Sequence, residues 1–270
     1  MTDRKALCVA IAQTPMQWTT EANLAVIETA MKLAADRGAA ICVFSELAVT
    51  GFHRQIRAEA VPGKVDSAVA RIKVLCRALG LACGVGAPTF AAAGGAIYNS
   101  YLHIDEHGAL VGQVDKTGQT PAEATFFHGG RGRPVSILQG RKTSAVLCRE
   151  IEDLALVRQH LPAGAAELVF WPGAMGRAPE NRDDHWVDCL PLAQQLARQS
   201  MAYVLQNNWP NALNNPPDSP DSLHLGGSKV FAPGGELLLT LPMHTAGVAT
   251  FELGAGEFVW DALPDPSEPA

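Results

Sequence analysis

The stretch AICVFSE at residues 40–46 decides how this chain folds. Five consecutive apolar residues that end at Ser45 and Glu46 are typical of a strand buried on both faces, with polar side chains where the strand stops. An amphipathic helix is predicted before this strand, at residues 20–37, and another after it, at residues 66–79. This alternation of buried strands with amphipathic helices predicts an α/β protein.

The same order of elements occurs twice along the chain. Two halves of this kind predict mixed sheets covered by helices. Because no linker-like segment separates them, we predict a single domain over residues 1–260, with an acidic and proline-rich tail at residues 261–270. The other predicted strands are 6–12, 81–87, 98–104, 110–115, 143–147, 167–171, 201–206, 227–231 and 236–241, and the other predicted helices are 153–161 and 182–199.

Composition excludes several classes of function. The net charge of −6, from 21 basic and 27 acidic side chains, argues against a nucleic-acid partner. The apolar stretch at residues 6–12 is too short for a signal peptide, and no other stretch reaches the length of a membrane span. The six cysteines lack the Cys-x-x-Cys spacing of zinc and redox sites. We therefore expect a cytoplasmic protein with reduced thiols, no membrane contact and no metal.

Three reactive side chains stand just past the ends of predicted strands: Glu46, Lys116 and Cys148. Ligands of α/β proteins collect at the carboxyl ends of strands, so this placement favours one shared site. A cysteine at a strand-to-helix elbow is a candidate nucleophile, which needs a base such as Glu46 to take its proton. An ammonium group such as that of Lys116 would stabilise an oxyanion.

Each residue also has a structural interpretation. Cys148 alone could be a buried thiol, Glu46 a solvated strand end, and Lys116 an edge-strand lysine that prevents aggregation. Thr120-Pro121-Ala122-Glu123 is a capping box with proline at the first helical position, so Glu123 is either a cap or a second carboxylate of the site.

Four motifs, taken together, resemble the carbon–nitrogen hydrolase (nitrilase) superfamily. Phe44-Ser45-Glu46-Leu47 with Thr50-Gly51 is similar to the glutamate motif of that family. Asp115-Lys116 with Glu123 is similar to its lysine motif and second glutamate. Leu147-Cys148-Arg149-Glu150 is similar to its Cys-x-Asp/Glu motif, and Gly227-Ser228-Lys229-Val230 to its C-terminal hairpin. The resemblance extends from about residue 9 to residue 238.

The resemblance implies a four-layer α-β-β-α sandwich with two mixed sheets, and association into homodimers or larger homo-oligomers. It also implies hydrolysis of a non-peptide carbon–nitrogen bond in a small amide or carbamoyl compound, through a cysteine thioester and without a cofactor. Glu46, Lys116 and Cys148 would form the catalytic triad. Glu123, Arg149, Trp171 and Asn207 would bind substrate or support the triad, although core packing is the other interpretation of Trp171. His53 and Trp209 are further candidates for the pocket wall.

The chain departs from the family pattern at three positions. Arg149 matches neither the tryptophan that often follows the cysteine in enzymes acting on nitriles nor the tyrosine or glycine frequent in those acting on amides, and the absence of tryptophan argues against a nitrilase. Thr117-Gly118 stands where His-Leu is frequent. Glu152 stands where arginine is frequent, which predicts a neutral or cationic substrate rather than an acidic one. The alternatives are a nitrile hydrolase and a non-catalytic member of the fold that binds a ligand or partner.

Overall fold

The computed structural model describes residues 6–92, 95–173, 189–213 and 225–264. Its helices are α1 (Thr20–Asp36), α2 (Ile56–Glu59), α3 (Pro62–Leu79), α4 (Leu154–His160) and α5 (Cys189–Ser200), with 3-10 turns at Glu123–Thr125 and Cys148–Glu152. Its strands are β1 (Cys8–Gln13), β2 (Ile41–Val43), β3 (Ala82–Phe90), β4 (Ile97–Ile104), β5 (Leu110–Asp115), β6 (Ser136–Leu138), β7 (Arg141–Ala145), β8 (Leu168–Gly173), β9 (Tyr203–Asn208), β10 (Lys229–Phe231), β11 (Leu237–Thr240), β12 (Gly247–Glu252) and β13 (Val259–Ala262).

The strands form two mixed sheets. The first sheet has the order β13-β12-β1-β2-β3-β4-β5, and the second has the order β11-β10-β9-β8-β7-β6. The central strands β1, β2 and β3 run parallel, as do β7, β8 and β9, while the outer pairs are antiparallel. Parallel strands need helical crossovers, and these cover the outer faces of both sheets. The predicted sandwich with two mixed sheets is confirmed.

Alternating side chains of the central strands fill different layers of this sandwich. In β1, Val9 and Ile11 pack between the two sheets, whereas Ala10 and Ala12 face the layer formed by α1 and α3. The second sheet likewise packs its outer face on α4 and α5. A strand buried on both faces must be apolar at every position, which is the pattern that residues 40–44 show.

The structure also contains elements that the sequence patterns did not predict. Strand β12 pairs antiparallel with β1, and β13 extends the same sheet by one more strand. Helix α3 begins at Pro62 rather than at residue 66, with the proline in the first turn. Asp261 and Ala262, which the sequence assigned to the tail, belong instead to β13 and pair with Val248 and Gly247 of β12. Residues 265–270 of that tail, and residues 182–188 of a predicted helix, lie outside the described residues.

Among the helices that the structure describes, none is both long and apolar enough to cross a membrane.

A buried, neutral histidine, His103, forms a hydrogen bond between the two sheets. His103 of β4 is fully buried and shares a hydrogen bond of 2.5 Å between Nδ1 and Ser136 Oγ of β6. Burial lowers the pKa of His103 to about 3, because the desolvated imidazolium is disfavoured. The imidazole ring is therefore neutral at pH 7.

We predict that His103 makes the fold acid-sensitive. In the unfolded chain the pKa of a histidine is about 6.5, so below this pH the unfolded state binds a proton that the folded state does not bind. The unfolding free energy therefore falls as the pH drops from about 6.5 towards about 3. By pH 4.5 this costs roughly 2–3 kcal/mol. Urea unfolding at pH 7.5 and 4.5 should therefore show a smaller loss of stability in His103→Gln than in the wild type. The exposed His107→Gln should behave as the wild type, and an equal loss in all three proteins would contradict the prediction.

Candidate active site

Glu46 lies in the turn that follows β2. The turn is attached to β3 by backbone hydrogen bonds from Phe44 N to Gly84 O (2.8 Å) and from Val49 N to Gly86 O (3.0 Å). A Cβ at Gly86 would lie 2.2 Å from the nitrogen of Leu47, so only glycine permits this approach. Glu46 is fully buried as a result, although the sequence alone also allowed a solvated strand end.

Lys116 binds two carboxylates at the end of β5. Its Nζ lies 2.7 Å from Glu46 Oε1 and 2.5 Å from Glu123 Oε1, and all three side chains are buried. Asn99 of β4 holds both members of this ion pair. Its side-chain Nδ2 donates to Glu46 Oε1 (2.8 Å), and its backbone carbonyl accepts from Lys116 N (2.8 Å). The interpretation of Lys116 as an exposed edge-strand lysine is therefore wrong.

The electrostatics of this cluster set the protonation of its members. Burial raises the pKa of Glu46; Lys116 opposes that rise, and Glu123 adds to it. Burial alone would lower the pKa of Lys116, but Glu46, Cys148 and Glu123 raise it above its usual value, so the amine stays protonated. Within the described part of the chain, Glu46 Oε2 has no hydrogen-bond partner. Glu46 thus has one oxygen committed to Lys116 and one available to accept a proton.

Glu123 fulfils both of the interpretations that the sequence left open. Its backbone nitrogen donates to Thr120 Oγ1 (3.1 Å), and its Oε2 accepts from Thr120 N (2.8 Å), which is a capping box. Its other oxygen, Oε1, binds Lys116. One carboxylate therefore caps the 3-10 turn and supplies half of the counter-charge to the lysine.

Cys148 lies at a strained elbow beyond β7. Its φ of +49° is left-handed, a conformation that costs a non-glycine residue about 1–2 kcal/mol. The side chain is half-buried, in contrast to the fully buried Cys42, Cys76 and Cys83. Its thiol is close enough to Lys116 to raise the pKa of the amine. Cys148 thus combines partial exposure with the neighbourhood of the cluster around Lys116.

Glu150 joins the segment after Lys116 to the elbow that carries Cys148. Its Oε1 accepts from Thr117 N (2.5 Å), Thr117 Oγ1 (2.8 Å) and Gly118 N (3.0 Å), while its Oε2 accepts from Leu147 N (2.6 Å). Its charge is balanced by the buried Arg133, 2.6 Å away, which keeps the pKa of Glu150 low despite burial. The approach is close at Gly118, where a Cβ would lie 3.1 Å from Glu150 Cγ.

The remaining predicted residues occupy different positions around the elbow. Trp171 is part of the core, and its Nε1 also donates to Cys148 O (2.9 Å). Asn207 supports the turn of Glu46: its Oδ1 accepts from Ser45 Oγ (2.8 Å) and its Nδ2 donates to Val43 O (2.7 Å). Arg149 forms a partly exposed ion pair with Glu152 (2.8 Å).

Trp209 and His53, the two further candidates, lie near different residues of the site. The indole nitrogen of Trp209 donates to the carbonyl of Glu46 (3.1 Å) from inside the core. His53 is buried and lines a cavity of about 260 Å³, whose wall also includes Glu123. A second cavity, of about 340 Å³, is bounded by Thr117 and Arg149.

Among the described residues, no group of three histidine, cysteine or acidic side chains is arranged to hold a metal ion. His103 lies in the interior between the sheets, and His107 is exposed in a turn. Residues 183–185, at the start of the helix predicted for residues 182–199, lie outside the described residues.

Comparison with known proteins places this arrangement in a family. The family model "Carbon-nitrogen hydrolase" matches residues 8–257, which is nearly the whole chain. The chain belongs to the carbon–nitrogen hydrolase family. It is therefore an enzyme that hydrolyses carbon–nitrogen bonds other than peptide bonds, as the sequence motifs predicted.

Solved structures similar to this carbon–nitrogen hydrolase are amidases. The NitN amidase from Neterenkonia sp. AN1 shares 25% identity and a TM-score of 0.75, over 91% of this chain and 92% of that one. An amidase from Nesterenkonia sp. shares 25% identity and a TM-score of 0.73, over 91% and 89% of the two chains. A cysteine-to-alanine mutant of the Nesterenkonia sp. AN1 amidase, solved with butyramide, shares 25% identity and a TM-score of 0.73, over 91% and 90%. No curated protein matches the chain.

Sequence reasoning missed two residues of this hydrolase that position the segments around Glu46, Lys116 and Cys148. Arg133 was not among the predicted site residues, yet it is the buried partner of Glu150. Gly86 carried no site signal, because its importance lies in the approach of a turn that is distant in sequence. Neither role has a local pattern from which to predict it.

We predict that Glu150→Gln destabilises the hydrolase strongly and impairs its activity. Removing the negative charge leaves Arg133 buried and unpaired, which costs about 3–5 kcal/mol, and frees the two segments that carry Lys116 and Cys148. Glu152→Gln is the matched control, because it breaks a partly exposed pair that contributes less than about 1 kcal/mol. Denaturant unfolding of both variants measures the difference, and equal stabilities would refute the assigned role of Glu150.

We predict that Gly86→Ala displaces Glu46. The added methyl group overlaps the turn backbone at Leu47, so the unfolding free energy should fall by about 1–3 kcal/mol. Hydrolysis should fall at least about tenfold, because small displacements of a catalytic group are costly. Gly63→Ala in α3, where a Cβ meets no atom within 4 Å, should keep both stability and activity. A fully active Gly86→Ala would contradict the prediction.

Proposed function

We propose that this carbon–nitrogen hydrolase cleaves small amides or carbamoyl compounds through a thioester on Cys148. The observation that carries the proposal is a protonated Lys116 held between two buried carboxylates, next to the half-buried thiol of Cys148. A thiol, a carboxylate with one free oxygen and a fixed ammonium are the groups that acyl transfer from nitrogen requires. The reaction uses water and needs no cofactor.

In the first half of the reaction, Glu46 acts as base and then as acid. Its unpartnered Oε2 takes the thiol proton while the sulfur of Cys148 attacks the carbonyl carbon. Burial supports this role, because it raises the pKa of Glu46 towards the pH at which the enzyme works. Glu46 then returns the proton to the departing nitrogen as the carbon–nitrogen bond breaks.

Lys116 stabilises the negative charge on the substrate oxygen. An ammonium group has three N–H donors, and Glu46 and Glu123 take two of them, which leaves one for the oxyanion. The backbone N–H of Arg149 is the second donor that we assign. Glu123 holds the orientation of Lys116. In the second half, Glu46 takes a proton from water, which attacks the thioester; the carbon–sulfur bond breaks, the acid product leaves, and Glu46 returns the proton to the sulfur of Cys148.

The similar solved structures support an amide as the substrate. They are amidases, and one of them holds butyramide. The absence of tryptophan after Cys148 also favours amides over nitriles. The expected preference against acidic substrates has lost its physical basis, because Arg149 neutralises Glu152.

The cytoplasmic location, expected from the sequence composition, and the assembly into homodimers or larger homo-oligomers, implied by the resemblance, stay predictions. A non-catalytic binding protein is the alternative function, and it differs from an amidase in releasing no ammonia from amides.

We predict that ammonia release from acetamide and butyramide depends on Cys148 and Glu46. Cys148→Ala should abolish turnover because no thioester can form, and Glu46→Gln should lower kcat about 10²- to 10⁴-fold because general-base catalysis is lost. Cys8→Ala, which removes another half-buried thiol, should remain active. Mass spectrometry of the intact protein should detect the acyl adduct on the wild type and on Cys8→Ala, and no adduct on Cys148→Ala.

Two results would refute this proposal. One is undiminished turnover by Cys148→Ala. The other is a wild type that releases no ammonia from any amide, urea or carbamoyl compound in a broad panel, which would favour the binding protein.

A further inference from the structure

A cavity beside Glu123 is the strongest candidate for a substrate-binding region beyond the triad. It has a volume of about 260 Å³ and is enclosed by two segments, one that follows Glu46 and one that follows Lys116. We name it the Phe126 cavity and define it by Phe52, His53, Arg57, Glu123, Thr125 and Phe126. Glu123, which lines the inner wall of the cavity, accepts a hydrogen bond from Lys116 through its Oε1.

The walls of the Phe126 cavity are mainly apolar. Phe52 and Ile56 line one side, and Phe126 and Phe127 line the other, with the last two rings packed edge to face at 4.7 Å. A cavity of roughly 150 Å³ is large enough for benzene, so this volume accommodates an acyl chain of several carbons. The first requirement on an occupant is therefore an apolar segment.

The acidic and titratable side chains at the cavity wall already have hydrogen-bond or ion-pair partners within the protein. Glu123 binds Lys116 with one oxygen and Thr120 N with the other. His53 is neutral at pH 7, because burial lowers its pKa, and its ring contacts Thr50 O. Glu59, on the same short helix as Arg57, is bound to Lys64 and to Thr20 N.

The positive charge of Arg57 at the cavity has no acidic partner among the described residues. The guanidinium carbon of Arg57 lies 4.6 Å from the centre of the Phe126 ring, and Nη2 donates to Thr125 O (3.2 Å). Both partners are uncharged, and none of the described carboxylates forms an ion pair with Arg57. An aromatic ring orients an arginine and leaves its charge available to an anion.

We propose that the Phe126 cavity binds the acyl chain of the substrate, and that this chain is apolar and ends in a carboxylate which Arg57 binds. The inference rests on the proposed amide hydrolysis and specifies its substrate class. It reverses the expectation drawn from Glu152, because that carboxylate is paired with Arg149 whereas Arg57 has only neutral partners among the described residues. Phe126 places the guanidinium, and the apolar wall selects the length of the chain.

The test compares primary amides that differ only in their terminal group. Glutaramate carries a carboxylate, 5-methylhexanamide carries an isosteric isopropyl group, and 5-aminopentanamide carries an ammonium group. The order of kcat/KM should be carboxylate, isopropyl, ammonium, with at least about a fivefold step between the first two. Because Arg57 is exposed, the carboxylate preference should shrink in 0.5 M NaCl.

Arg57→Gln should lower the carboxylate-to-isopropyl ratio about fivefold, whereas Arg71→Gln should leave it unchanged. Arg71 is an exposed arginine of α3 paired with Glu28, so it controls for net charge. Calorimetric binding of the same three compounds to Cys148→Ala gives a readout that does not need turnover. Glutaramate should bind most tightly there, and Arg57→Gln in that background should remove the difference.

The outcomes separate the two proposals. If ammonia is released without a carboxylate preference, or if Arg57→Gln leaves the preference intact, the assignment of the cavity is overturned and amide hydrolysis stands. A preference for the ammonium compound would overturn it in favour of the Glu152 expectation. If no amide turns over, the proposed reaction fails, while tighter binding of glutaramate that is lost in Arg57→Gln would still support the cavity.

Discussion

The structure of the site depends on one buried ammonium shared by two buried carboxylates. Desolvating three charged groups is costly, and the contacts of Lys116 with Glu46 and Glu123 offset this only because the geometry is close and further donors satisfy the oxygens. Asn99 and the backbone of Thr120 supply those donors. The result is a lysine that keeps its proton and a glutamate with a raised pKa, both of which acyl transfer uses.

This cluster can form because backbone segments from different strands approach closely. Gly86 lets the turn of Glu46 lie against β3, and Gly118 lets the segment after Lys116 lie against Glu150. Glu150 then binds the backbone on both sides of the site, with Arg133 as its buried counter-ion. Backbone contacts therefore position the segments that carry Glu46, Lys116 and Cys148, and side-chain ion pairs then orient Glu46 and Lys116. Substitutions at these supporting residues should affect activity as well as stability.

The two mixed sheets explain why the site lies where it does. Glu46, Lys116 and Cys148 each follow the carboxyl end of a strand, and packing of the sheets face to face brings the ends of β2, β5 and β7 together. The cavity beside Glu123 is lined by two loops, one after Glu46 and one after Lys116. Because loops rather than sheet strands form its walls, its side chains can differ without changing the strands that hold Glu46, Lys116 and Cys148.

The sequence by itself determined the α/β class, the sandwich implied by the family motifs and the three reactive residues, because apolar runs, helical periodicity and short motifs are local patterns. It left Glu123 between a cap and a site carboxylate, and the fold assigned both roles to its two oxygens. Strands β12 and β13, Gly86, Arg133 and the partner of Glu152 were decided only by tertiary structure. Their roles arise from contacts between residues far apart in the chain, and the strength of a buried charge pair depends on distances and burial that no local pattern contains.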